Sequence, residues 1–188
     1  MKYIVERTFK DKDFTQIPLE LSEYESCHFI NCQLTQADIS GARFINTVFN
    51  DCDLSNAKIH NTAFQDAVFK NCKMLGLRFD TCNDFNFSAV FEQCILSHST
   101  FIEMKLSKSS FSHCQLIDID FSDAYMRSSS MSHCDLMNAV FDQTNLEKTD
   151  LREAINYAIN PNNNHIKGAK FSMPEAIRLL DHYQIEIE

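Results

Sequence analysis

Glycine is scarce in this 188-residue chain, at three residues in all, which leaves little room for a Gly-rich loop around a phosphate. G-x-S-x-G and H-E-x-x-H are both absent, and the seven histidines are scattered, so no nucleophile or metal-ligand signature stands out. Grouped carboxylates do occur, as at Asp51 and Asp53 or Asp118, Asp120 and Asp123. Acid–base work needs such groups held across a cleft. No catalytic residue set emerges, no cofactor is implied, and an enzyme is not expected. There is no run of eighteen apolar residues, and the opening MKYIVERTFKDKDF lacks a signal-peptide core, so a cytoplasmic protein without a membrane span is expected. Lys and Arg are outnumbered 17 to 26, for a net charge of −9. That balance argues against direct nucleic-acid binding, which needs clustered cations, and favours basic partners.

What the chain does have is a period of five. Bulky apolar residues recur without a break from Phe9 and Phe14 through Leu34, Phe49, Leu54 and Phe69 to Phe79. Asp84 interrupts the series, which resumes from Phe91 through Leu96, Phe111 and Leu136 to Leu151, shifted by two residues. Two residues before each of these centres stands a small one, such as Cys27, Ala37, Thr47, Ser99 or Ala124. Five matches neither the 3.6 of a helix nor the 2.0 of a strand. A coil that turns a corner every five residues fits, and four corners make a square of twenty residues. The expected fold is therefore all-β, with stacked coils sharing backbone hydrogen bonds at the ~4.8 Å spacing of adjacent strands.

All eight cysteines fall at the small inward position. In a cytosolic setting they are expected as thiols. Cys32, Cys52, Cys72, Cys94, Cys114 and Cys134 recur every twenty residues once the two-residue slip is allowed for, so they should stack as an interior ladder of small hydrophobes. The His-Cys pairs at 113–114 and 133–134 put histidine outward and cysteine inward. Zinc ligands must converge, so no metal site is expected there.

A solenoid must cover its ends. Residues 1–160 read as the repeat region, with a register break near 80–90, and 161–188 as its C-terminal cap. The Asn-rich stretch from 152, with Pro161, reads as an irregular return loop. Ser172 and Glu175 have capping-box spacing and Pro174 suits a first helical turn. Ala176, Ile177, Leu179, Leu180 and Tyr183 form an apolar helical face. The closing QIEIE alternates, which predicts a short strand with Ile185 and Ile187 on one side.

Segments such as CDLSN, ADISG, CQLTQ, CDLMN and TDLRE resemble the A-[DN]-L-x-x unit of the pentapeptide-repeat family, over about three quarters of the chain. The resemblance implies a right-handed quadrilateral β-helix. NCKML at 71–75, REAINYAINPNNNHIKGAKFSMPEA at 152–176 and the ending LLDHYQIEIE are similar to the branch that protects DNA gyrase and topoisomerase IV from inhibitors. That branch includes the Qnr quinolone-resistance proteins, the mycobacterial fluoroquinolone-resistance protein and, most similar here, the albicidin-resistance members. By resemblance, the function is that of an acidic DNA mimic binding gyrase or topoisomerase IV. Ile177, Leu180, Tyr183, Ile185 and Ile187 would hold a homodimer through a C-terminal helix and dimerisation strand. The slip at 80–90 leaves no room for the long loops that several Qnr proteins project, which argues against quinolone protection and leaves open protection against a different gyrase poison or gyrase binding without protection.

The window 116–153 holds eight acids against three bases, net −5. Asp118, Asp120, Asp123, Asp135, Asp142, Glu147 and Asp150 are the candidate partner-binding residues. About eight coils make a rod of roughly 38 Å, over which B-DNA carries about 22 phosphate charges. A net charge of −9 reaches under half of that, so a mimic must also match DNA in shape. The alternative is a repeat scaffold that binds another protein and has no role at a topoisomerase.

Overall fold

In the computed structural model, which describes residues 2–186, the five-residue period closes into stacked coils of twenty residues. Thr8 lies beside His28, His28 beside Val48, and Val48 beside Val68, all in parallel register. Nine short strands from Thr8–Lys10 to Lys170–Phe171 line up as one parallel sheet, the first face of the solenoid. Isolated parallel bridges from Asp13 through Asp53 and Gln115 to Ile155 run down the second face. A third face carries Asp38↔Lys58 and then Arg78↔Thr100, Thr100↔Asp120 and Asp120↔Val140. The fourth begins as a four-stranded sheet from Lys2–Val5 to Ala63–Gln65 and continues as Lys105↔Tyr125, Tyr125↔Asn145 and Asn145↔His165.

The corners explain the period. The carbonyl of a bulky centre accepts the N–H three residues on, as in Ala37 N–H to Leu34 O (3.0 Å) and Ala124 N–H to Phe121 O (3.0 Å). The residue two after the centre has positive φ, for instance Asn31, Asn56, Asp66 and Asp123. This is a β-turn whose third residue is left-handed, a place that favours Gly, Asn and Asp. All three glycines, Gly41, Gly76 and Gly168, stand at such corners.

Inside, one bulky and one small side chain per face fill the bore. Phe9, Phe29, Phe49, Phe69, Phe91 and Phe111 stack along the first face with centroids 4.7 to 5.2 Å apart. Phe79, Phe101, Phe121 and Phe141 also stack on the third, with centroids 4.3 to 5.4 Å apart. Neighbouring columns meet edge to face, as Phe91 meets Phe101 at 83°, so the rings satisfy both favoured aromatic geometries at once. The small positions do more than save space. Cys52 Sγ donates to Phe29 O (3.4 Å) and Cys114 Sγ to Phe91 O (3.4 Å). Thr47 and Thr144 donate their hydroxyls to Tyr24 O and Phe121 O, both at 2.9 Å. A small donor at this position ties each coil to the one before it, which is why Cys, Ser and Thr alternate there with Ala.

The slip is resolved between Asn83 and Ala89. Ala63 still pairs with Asn83, twenty residues on, whereas Ala67 pairs with Ala89, twenty-two on. Phe79–Thr81 form a 3-10 turn. Phe87 takes the interior place that Asp84 vacates, packing edge-on against Phe64 and Phe79, while Phe85 is 70% exposed.

Three C-terminal expectations change. The stretch expected as an irregular loop carries a further coil: Ile155 bridges Asp135, His165 bridges Asn145, and Tyr157 and Ile159 are buried. Tyr157 enters the bore one residue after the place of a bulky centre, and Ile159 puts a bulky side chain at the small inward position two before Pro161, which hid them. The helix is a 3-10 helix over Glu175–Tyr183, and no side chain caps its N-terminus. Ser172 and Glu175 reach back to the solenoid instead. Ser172 Oγ accepts the N–H of Glu153 (3.0 Å) and Glu175 Oε2 that of Asn156 (3.3 Å). Those amides would otherwise face a missing next coil, so two side chains stand in for its carbonyls. Finally, Ile185 and Glu186 lie in no strand; an edge segment needs a backbone partner to become one. Ile187 lies outside the described residues.

Candidate partner-binding surface

The solenoid distributes the seven candidate acids over all four faces. Asp120 and Asp142 flank the centres of the third face, and Asp118 and Asp123 stand at its two corners in the same region. Asp135 lies on the second face, Glu147 on the fourth and Asp150 on the first. One contiguous side therefore holds four of the seven, joined by Glu103 at the corner one coil before Asp123.

The seven differ in what faces them, and only two of them meet an arginine. Glu147 pairs with Arg127 at 3.3 Å and Asp150 with Arg152 at 2.7 Å. The hydrogen bond from Arg152 holds the Asp150 carboxyl below the usual carboxylate range. Asp135 Oδ1 accepts from the N–H of Met137 (3.1 Å) and Nδ2 of Asn156 (2.8 Å). On the third face, Asp120 Oδ1 accepts from Ser122 N–H (2.8 Å) and Oγ (2.6 Å), which fixes the carboxylate without neutralising it. Asp118 accepts from Asn138 Nδ2 (3.0 Å) and lies 3.6 Å from His98 Nδ1. Among the described residues, Asp123 and Asp142 have no ion pair, and both are exposed. A charged side without internal cations projects its field outward and attracts a basic surface. Toward the N-terminus the same face turns mixed, with Lys58 and the pair Arg78–Asp80 (2.6 Å) around an open depression of about 350 Å³. The negative side thus belongs to the C-terminal half.

The histidines and cysteines separate as the alternation of the wall requires. Cys114 and Cys134 are buried, whereas His113 and His133 are exposed and stack in parallel at 4.4 Å. His133 Nε2 lies 2.6 Å from Glu153 Oε2. Cys32, Cys52, Cys72 and Cys94 are buried in the same ladder. Among the described residues no three His, Cys, Asp or Glu side chains converge as metal ligands would.

At the C-terminal end the 3-10 helix divides its apolar residues. Leu179 packs against the core. Ile177, Leu180 and Tyr183 are 38%, 39% and 49% exposed. Residues three apart line up in a 3-10 helix, so these three form one apolar row on the outside. Ile185, 56% exposed, follows them, and Tyr183 anchors the row by donating to Asn162 Oδ1 (3.2 Å). No helix among the described residues is long and apolar enough to cross a membrane.

A four-sided, all-parallel β-solenoid with stacked aromatic columns and donor side chains at its small positions defines a class of repeat protein. The chain belongs to the pentapeptide-repeat family: the family described as pentapeptide repeat region matches residues 22–87 and 86–151. Two solved structures of trypsin-treated forms of QnrB1, described as a plasmid-mediated fluoroquinolone resistance protein, are similar over the whole chain. One has a TM-score of 0.75 at 19% identity, covering 100% of this chain and 99% of that one. The other has a TM-score of 0.67 at 19% identity, covering 100% and 98%. No curated protein sequence matches. At that identity the likeness is one of fold.

Proposed function

We propose that this protein is a non-enzymatic, acidic DNA mimic of the cytoplasm that binds DNA gyrase or topoisomerase IV and protects it from an albicidin- or quinolone-type poison. The observation that carries the reading is the cation-poor side bearing Asp118, Asp120, Asp123 and Asp142. A rigid rod with fixed carboxylates on one side is complementary to a groove that grips duplex phosphates. The full-length likeness to a fluoroquinolone resistance protein supports it. The exposed row Ile177, Leu180 and Tyr183, with Ile185 and Ile187, would join two copies end to end and lengthen the rod.

The test is a supercoiling assay of gyrase with and without albicidin or ciprofloxacin. The protein restores supercoiling in the presence of at least one poison, and the double charge reversal Asp123→Lys, Asp142→Lys weakens the rescue at least tenfold. Absence of rescue, inhibition and complex formation with the unaltered protein would overturn the reading. Leu180→Glu should give monomers in sedimentation with the solenoid intact; an unchanged mass would place the self-contact elsewhere.

A second reading, a scaffold for another protein, is favoured by Met137, Val140 and Ile155, each 44 to 46% exposed beside the acids. If replacing these three by serine abolishes binding to a partner while the double charge reversal leaves it intact, the scaffold reading holds.

A further inference from the structure

The fourth face of the C-terminal half has the opposite charge to the third. Lys105 and Lys108 lie in one coil, Arg127 in the next, then Lys148, then Lys167. All five are exposed, and among the described residues only Arg127 is in an ion pair, with Glu147. The acids are Glu147 and Asp84 on this side and Glu103 and Asp123 at the corner it shares with the third face, so five cations meet four acids and the strip is locally +1 on a protein of net charge −9. Exposed aromatic rings are interleaved with the cations. Tyr125, 40% exposed, bridges Lys105 on one side and Asn145 on the other. Phe85, 70% exposed, projects from the slip between Asp84 and Asn86, which share a depression of about 170 Å³ with Lys105 and Lys108.

We propose that this face is a binding strip for single-stranded nucleic acid, separate from the acidic side. Net charge is an average over the molecule, and phosphate attraction depends on the local field. Cations alone would suit any polyanion. The rings choose among polyanions: an exposed aromatic beside cations stacks an unpaired base while the ammonium groups meet the backbone, and it has no such use against a closed duplex or an acidic polypeptide. The rings also need an explanation, since the slip buries Phe87 and leaves Phe85 in solvent. From Phe85 to His165 the strip spans about 19 Å at the coil spacing, room for a short run of nucleotides.

Fluorescence anisotropy with a labelled 20-mer oligothymidylate, its 20-base-pair duplex with oligoadenylate, and poly-glutamate tests the proposal. The single strand binds best at 50 mM salt, and its affinity falls about 20-fold by 200 mM, as expected for three neutralised phosphates. Tyr125→Ala and the pair Lys105→Glu, Lys148→Glu each weaken it at least fivefold with unchanged melting temperature, whereas Asp123→Lys, Asp142→Lys does not weaken it. No single-strand binding at 50 mM salt overturns the proposal. Equal binding of duplex or poly-glutamate with Tyr125→Ala without effect also overturns it, because the face is then a general anion surface.

Discussion

Most corner residues in this solenoid other than glycine take a φ of 48 to 63°, a conformation that disfavours a Cβ by roughly 1–2 kcal/mol. Asn, Asp and His, with short polar side chains, hold most of the places. The glycines differ in what surrounds them. A Cβ on Gly41 would meet Leu21 Cδ1 at 3.5 Å, an ordinary contact, whereas one on Gly76 would meet Asn56 Oδ1 at 2.6 Å. Gly41→Ala should therefore cost about 1 kcal/mol and Gly76→Ala about 1 kcal/mol more, a difference visible in urea midpoints. At the other extreme of burial stands Tyr157, fully enclosed with a hydroxyl that has no hydrogen-bond partner. Tyr157→Phe should raise stability by about 1 kcal/mol, read from the same urea titration, because the change removes a polar group that is buried without compensation.

The elements that close the rod follow a different logic from those that repeat. Ser172 and Glu175 have the spacing of a helix cap, but their oxygens are spent on the amides of Glu153 and Asn156. Open sheet edges cost more than a frayed 3-10 helix. Ser172→Ala with Glu175→Ala should leave the helix in place and speed hydrogen exchange at those two amides at least tenfold, with Leu116 and Leu136 unaffected as internal references. The repeat was legible in sequence because one bulky and one small residue per side leave a signal that survives exchange among Phe, Leu, Met and Ile. The last coil was not: Asn156 and Pro161 stand where bulky centres would, and the bore is filled by Tyr157, one residue on, and by Ile159 at a position that is small elsewhere. The 3-10 form was equally hidden, since an apolar row at 177, 180 and 183 is compatible with either helix. The acids could be counted in the chain, but the grouping of four on a side without Lys or Arg, apart from Asp135 and the arginine-paired Glu147 and Asp150, required the columns.

For the whole molecule, the buried phenols set an alkaline limit. Burial pushes both Tyr24 and Tyr157 up to about 12 from the ordinary 10.0, and it also pushes the Cys82 thiol well above its ordinary value. Each group is neutral when protonated and is held protonated by the fold. The unfolded chain therefore releases these protons first, and stability is full below the unfolded values and falls as pH rises through them. Melting temperatures should be level up to about pH 8, begin to fall as the unfolded Cys82 thiol ionises around its ordinary 9.0, and drop further between pH 10 and 12, with a smaller drop in Tyr157→Phe. A flat profile to pH 12 would show that the phenols ionise without unfolding.

Each coil pairs with the coil before it and the coil after it, and away from the slip its partners are set by a fixed offset of twenty along the chain rather than by particular side chains. The gene can therefore change length in whole-coil steps. Unequal crossing-over that joins a residue to its counterpart twenty positions away restores every turn, every ring stack and every carbonyl tie at the joint. Duplication of 111–130 would place a second Asp118, Asp120 and Asp123 one rung further along the third face and a second Tyr125 and Arg127 along the fourth. Both charged sides lengthen together by one rung, so recombination can retune the reach of either surface without inventing a new fold.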